Sequence, residues 1–146
     1  MKYSASIFIC RPRSEIVELF RNPDNLQHFQ EGFVSKTTIS GIPGQVGAVS
    51  EMKYEYRGKP MTLVETILDD KLPEEHTASY KHPMMENTLI TRFEETADSK
   101  TRYSIEVDYY AINGIVPRLL ARFFPKMFTS QGKKWMERFK QFAESQ

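Results

Sequence analysis

The stretch Ile115–Gln146, IVPRLLARFFPKMFTSQGKKWMERFKQFAESQ, decides how the rest of the chain is read. Val116, Leu120, Phe124, Phe128, Trp135, Phe139 and Phe142 recur at steps of three, four or seven, which places them on one face of an α-helix. Lysines and arginines occupy the other face. From Lys126 to Glu144 the helix is expected to run about 28 Å at 1.5 Å per residue. Nothing else in the chain has comparable helical periodicity, so a long amphipathic helix of this kind needs a sheet to lie on.

Two residues modify the helix. Pro125 has no N–H and clashes with the carbonyl four residues back, which predicts a kink or break between a short Pro117–Phe124 segment and the main helix. Gly132 sits on the apolar stripe, where glycine costs about 1 kcal/mol relative to alanine. It marks either close approach of helix and sheet or room left for a molecule that is not protein.

Upstream of the helix the period is two. Tyr3, Ala5, Ile7 and Ile9 alternate with Ser4, Ser6 and Phe8 as a first strand, which ends at Arg11-Pro12. Pro12 and Glu15 suit a helix start and Ile16, Val17, Leu19 and Phe20 its apolar side. Asn22-Pro23-Asp24 stops that helix, and Asp24 is expected to cap a further short turn carrying Leu26 and Phe29. Then come six strands. Phe33, Ser35, Thr37 and Ile39 make the apolar side of one, and Val46, Ala48, Ser50, Met52, Tyr54 and Tyr56 that of the next. Met61–Leu68, Thr77–His82, Asn87–Glu95 and Thr101–Tyr110 follow. Short connections predict an antiparallel meander. The fold class is therefore α+β, with a seven-stranded, strongly curved sheet around the C-terminal helix and two short helices after the first strand.

The 146 residues suit one domain, and a charge of +1 from 20 basic and 19 acidic side chains gives no global signal for nucleic acid. Locally the balance shifts. Residues 65–98 carry nine acids against three bases, and residues 115–146 seven bases against two acids. The cationic side chains Arg118, Arg122, Lys126, Lys133, Lys134, Arg138 and Lys140 are expected to contribute at most weak contact with anionic membranes. Cys10, the single cysteine, allows no internal disulfide and fits a cytoplasmic protein. The opening MKYSASIFICRPR has too short an apolar run for a signal peptide, and no stretch is apolar enough for a membrane span, so a soluble protein is expected. Ten Phe, seven Tyr and seven Met suit either a large core or an apolar pocket.

This order of elements resembles the helix-grip fold of the START and birch-pollen-allergen-like superfamily (SRPBCC), with its polyketide cyclase/dehydrase and lipid-transport branches. The residues that carry the resemblance span essentially the whole chain. They are the first strand into Pro12 with Glu15-Ile16-Val17-x-x-Phe20, Asn22-Pro23-Asp24-Asn25-Leu26, Pro43-Gly44-x-x-Gly47, Glu65-Thr66-Ile67, Arg92-Phe93-Glu94, and Lys134-Trp135-x-x-Arg138-Phe139-Lys140-x-Phe142. The resemblance implies one START-like ligand-binding domain over residues 1–146, with a hydrophobic cavity between sheet and helix. It implies no single activity, since fold does not fix function.

Several chemistries are missing from the sequence. Gly41-x-x-Gly44-x-x-Gly47 lacks nucleotide-loop spacing and precedes a strand where a helix N-terminus would be required. His28, His76 and His82 show no HxxxH or HxH pairing, so neither metal nor cofactor is expected. No GxSxG signature is present. What remains is polar groups among aromatics. Glu65, if Met61, Leu63 and Ile67 share its inner face, is a cavity carboxylate able to act as acid or base; the opposite set, Thr62, Val64, Thr66 and Leu68, is nearly as apolar, and an outward Glu65 in a cross-strand ion pair fits equally. Tyr80 and His82 share a face and join Glu65 as candidates for acid–base work. The candidate ligand-contacting set is Met52, Tyr54, Tyr56, Tyr80, His82, Phe93, Tyr103 and Tyr109 from the sheet, with Leu120, Phe124, Phe128, Gly132 and Trp135 from the helical segment. The reading adopted is a binder of an apolar small molecule or lipid, because no catalytic constellation is identifiable. A cyclase/dehydratase-like enzyme and an adaptor without ligand are its rivals.

Overall fold

The computed structural model describes residues 1–146. β1 (Lys2–Ile9) leads into α1 (Arg13–Arg21), a single 3-10 turn (Pro23–Asn25) and α2 (Leu26–Phe29). The six strands β2 (Phe33–Ser40), β3 (Val49–Tyr56), β4 (Lys59–Lys71), β5 (Glu75–His82), β6 (Met85–Glu95) and β7 (Thr101–Ile112) follow, then α3 (Ile115–Phe123) and α4 (Lys126–Glu144). All strands pair antiparallel in one seven-stranded sheet of order β1-β7-β6-β5-β4-β3-β2. The meander is therefore sequential from β2 to β7, and only β1 reaches across the chain to close on β7.

Register shifts between β2 and β3, between β4 and β5 and between β6 and β7 bend the sheet around α4. The helical segment breaks where the sequence places the break. Phe124 leaves helical geometry at φ −133°, ψ 59° while its N–H still bonds the Leu120 carbonyl, and Pro125 starts α4 at φ −60°, the angle its ring already imposes.

Four sequence expectations are corrected. The bulge between Phe33 and Ser35 rotates the rest of β2, so Lys36 and Thr38 lie opposite the inward Met52 and Ser50, and Ile39 points to solvent at 59% exposure. β3 begins at Val49, with Val46 exposed in the preceding turn. The turn after α1 is capped by Asn22, whose Oδ1 accepts the Asp24 N–H, and not by Asp24. On α4 the buried line is Met136, Phe139 and Ala143, flanked by partly buried Trp135 and Phe142. Val116 and Phe124 are exposed because the break at Pro125 puts α3 on a different axis.

The solid core lies at one end of the grip. Phe139 meets Phe29, Tyr103 and Phe20 edge-on at centroid distances of 5.0, 5.5 and 6.3 Å, and Phe93 stacks on Tyr103 at 5.2 Å. Ile9, Ile16, Ile105 and Ala143 complete it. Such aromatic pairs add about 0.5–1.5 kcal/mol each beyond their buried area. The other end, under α3 and the first half of α4, is hollow.

Candidate binding cavity

The hollow end is a cavity of about 600 Å³ between the concave sheet face and α4. Its floor follows from strand register. Ser50, Glu65, Tyr80, Asn87 and Tyr109 stand in one row across β3 to β7, and Met61, Leu63 and Ile67 flank Glu65 along β4. Its roof is Leu120 from α3 with Met127, Phe128, Gln131, Gly132, Trp135 and Met136 from α4, and α2 closes one side with Leu26 and Phe29. Most of the wall is apolar, with polar groups at a few defined places.

Glu65 faces inward and is 5% exposed. Lys36 reaches over β3 to put Nζ 2.8 Å from Glu65 Oε1, and Tyr80 donates its hydroxyl to Oε2 at 2.9 Å. The inward position and the ion pair thus coexist, with a partner two strands away. Burial, and then the Glu65 charge, push the Tyr80 hydroxyl well above the usual phenol range, so Tyr80 remains a donor. Tyr54, also raised chiefly by burial, donates to Gln30 Oε1 at 2.8 Å.

A second polar group follows from the bulge at Ile67–Asp69, which turns Asp70 inward opposite His76. Arg21 bonds Asp70 at 3.3 Å, and Phe20 meets the His76 ring edge-on at 5.7 Å. Burial lowers the His76 pKa, more than Glu65 and Asp70 raise it, and Lys36 and Arg21 push the same way as burial.

Against α4, Trp135 stacks on Tyr54 at 5.7 Å and Tyr54 on Tyr56 at 6.4 Å. Three buried polar atoms here have no hydrogen-bond partner: Tyr56 Oη, Gln131 Nε2 and Trp135 Nε1. One turn further toward the N-terminus, the Tyr109 hydroxyl donates to the Phe128 carbonyl at 3.3 Å and ties β7 to α4.

Of the candidates named from sequence, Glu65, Met52, Tyr54, Tyr56, Tyr80, His82, Tyr103, Tyr109, Leu120, Phe128, Gly132 and Trp135 line this cavity. Phe93 does not, being packed in the solid core, and Phe124 is 60% exposed beside the helix break. Gly132 resolves toward close packing: a Cβ there would run into the Tyr3 hydroxyl, so the missing side chain is replaced by Tyr3 and not by open space. Sequence reasoning missed Lys36 and Asp70, whose inward positions depend on bulges, His76, whose signal was its two-residue step from Ala78 and Tyr80 along the unbroken β5, and Gln131, whose signal was its place one turn before Trp135.

Set against solved structures, the chain aligns over nearly its full length with proteins of this architecture. It covers 99% of itself and 96% of a conserved protein from Geobacillus kaustophilus at TM-score 0.80 and 10% identity. The Zhui aromatase/cyclase from Streptomyces sp. R1128 is matched at TM-score 0.79 and 9% identity, covering 99% of this chain and 93% of that one. Ara h 8.0201 is matched at TM-score 0.73 and 10% identity, covering 100% and 99%. The fold is the helix-grip fold. At these identities helix-grip neighbours show architecture alone. No family model and no curated protein matches the sequence. No helix is long and apolar enough to cross a membrane.

Proposed function

We propose that the protein binds a small molecule or lipid with an apolar body and a hydrogen-bond-accepting group in the cavity between the sheet and α4. The observation that carries this reading is the largely apolar cavity of about 600 Å³ itself; three of its lining side chains, Tyr56, Gln131 and Trp135, also carry buried polar atoms with no protein partner. An indole N–H and an amide NH2 only donate, and a hydroxyl can. Each left unmet costs about 1–3 kcal/mol, and a ligand oxygen would offset that once a side-chain rotation brings the enclosed donor to the cavity surface. The apolar wall of Met52, Met61, Leu63, Leu89 and Phe128 would take the body of the molecule. Glu65 already accepts from Lys36 and Tyr80, so the floor holds a compensated acceptor, while Gln131 and Trp135 on the roof and Tyr56 at the end of β3 carry the unpartnered donors.

A cyclase/dehydratase-like activity is the second reading, favoured by a carboxylate, a tyrosine hydroxyl and two histidines (Glu65, Tyr80, His76 and His82) along one cavity, and by the aromatase/cyclase among the helix-grip neighbours. It ranks second because the Tyr80 proton is committed to Glu65.

Titration with a naphthalene dye or a fluorescent fatty acid, read through the single tryptophan, tests the first reading. Saturable binding with a change in Trp135 emission is expected. Trp135→Phe, followed through the probe's own emission because the variant has no tryptophan, keeps an aromatic ring but removes the donor, and is expected to weaken acceptor-bearing probes about tenfold and purely apolar ones little. Absence of saturable binding, together with native mass spectrometry showing no co-purified molecule, would reject it.

A further inference from the structure

α3 leaves its apolar residues outside. Ile115, Val116, Leu119 and Phe123, with Phe124 and Met127 just beyond, are between 50% and 80% exposed, a longer run than the other exposed apolar group, Ile39, Ile42 and Val46 around the β2–β3 turn. Ile115, Leu119 and Phe123 fall four apart and form one stripe on the helix. Met84, in the β5–β6 turn whose carbonyl accepts the Asn113 N–H, is 46% exposed beside the start of α3 and extends the patch.

The charge carried by α3 and the chain on either side of it has one sign. No acidic residue occurs between Asp108 and Glu137, while Arg118, Arg122 and Lys126 lie on or next to α3. None of these three cations is in an ion pair. The Arg122 guanidinium sits over the Phe123 ring at 5.6 Å, which keeps the charge at the edge of the apolar stripe. The outer face of α4 differs. Lys133, Lys134 and Lys140 there border no exposed apolar stripe, and Arg138 is paired with Glu31 at 3.5 Å.

From this pattern we infer that α3 is a docking element for an anionic lipid surface, lying in the plane of the headgroups with Ile115, Leu119 and Phe123 below them and Arg118, Arg122 and Lys126 at phosphate level. An apolar stripe flanked by cations matches such an interface in both its layers. A second copy of the chain fits worse, because a twofold contact through this patch would bring like cations together. Leu120, on the other side of α3, and Met127, beside the break, also line the cavity, so docking sets the cavity wall against the bilayer. The docking does not depend on the cavity being occupied.

The test is co-sedimentation of the full chain with phosphatidylcholine vesicles, with and without phosphatidylglycerol. Binding is expected only with phosphatidylglycerol, and weakening several-fold as salt shortens the reach of the charges. Leu119→Ser/Phe123→Ser removes two exposed apolar side chains and is expected to lower vesicle binding about tenfold or more while leaving dye affinity in solution unchanged. Arg122→Glu/Lys126→Glu is expected to abolish the preference for phosphatidylglycerol. Equal binding to both vesicle types, undiminished binding by the serine variant, or self-association through this patch without vesicle binding would each overturn the inference. Loss of dye binding in the unmodified chain with vesicle binding intact would instead count only against the cavity reading.

Discussion

Lys36 and Glu65 are joined across an intervening strand, and each needs the other. Glu65 sits 7% exposed at its side chain, whereas Lys36 keeps 25%, so the carboxylate is the member that cannot turn to water. Lys36→Met is therefore expected to cost about 2–3 kcal/mol in urea denaturation, below the usual range for a fully buried pair because of that residual exposure. Glu65→Gln, which can still accept from Tyr80 and frees Lys36 to reach solvent, is expected to cost less; the reverse order would refute the asymmetry. His76 gives a pH dependence. Burial lowers its pKa in the folded state below the ordinary value of about 6.5, with Glu65 and Asp70 opposing and Lys36 and Arg21 assisting. Below about pH 6.5 the unfolded chain therefore takes up the proton before the native one, so this contribution is present in full above that pH and is lost as the pH falls toward the folded value. Stability measured by urea denaturation across that window is expected to fall less steeply for His76→Gln. An unchanged slope would show that His76 does not titrate differently on folding.

At the scale of the element, β2 shows what a single extra residue does. The alternation Phe33, Ser35, Thr37, Ile39 is a legible strand pattern, yet the bulge at Phe33–Ser35 exchanges the faces of all that follows. Thr38 thereby faces Ser50 across 3.3 Å, and Ile39 faces solvent. Ile39→Lys is accordingly expected to change stability by no more than about 0.5 kcal/mol, and Thr38→Ile, placing a bulkier apolar side chain beside the buried Ser50, by more. Denaturation midpoints of the two variants check this; a costly Ile39→Lys would restore the unbulged register. In α4 the same precision appears at Gly132, where close approach to Tyr3 makes Gly132→Leu an overpacked variant costing about 1–3 kcal/mol and not the filling of a void.

The whole molecule divides into a packed end and a hollow end along one helix. Met136, Phe139 and Ala143, the fully buried residues of α4, all lie in its second half, while the first half roofs the cavity and leads back to the exposed α3. Native-state hydrogen exchange is expected to show α3 and the first turns of α4 opening well before the second half, and a bound apolar ligand is expected to slow only the former. Uniform protection along α4 would contradict the division. How much of this was readable follows the range of the interactions involved. Periodicity of two and of 3.6, the punctuation by Asn22-Pro23 and Pro125, and the apolar face of the last helix are local properties of the chain, and they determined the elements, their order and the helix-grip architecture. The inward turn of Lys36 and Asp70, the side on which Glu65 lies, and the replacement of the missing Gly132 side chain by Tyr3 were decided only by tertiary structure. A bulge shifts the register by one residue without leaving a pattern in the sequence, and with a side-chain period of two that single step decides which groups face the cavity.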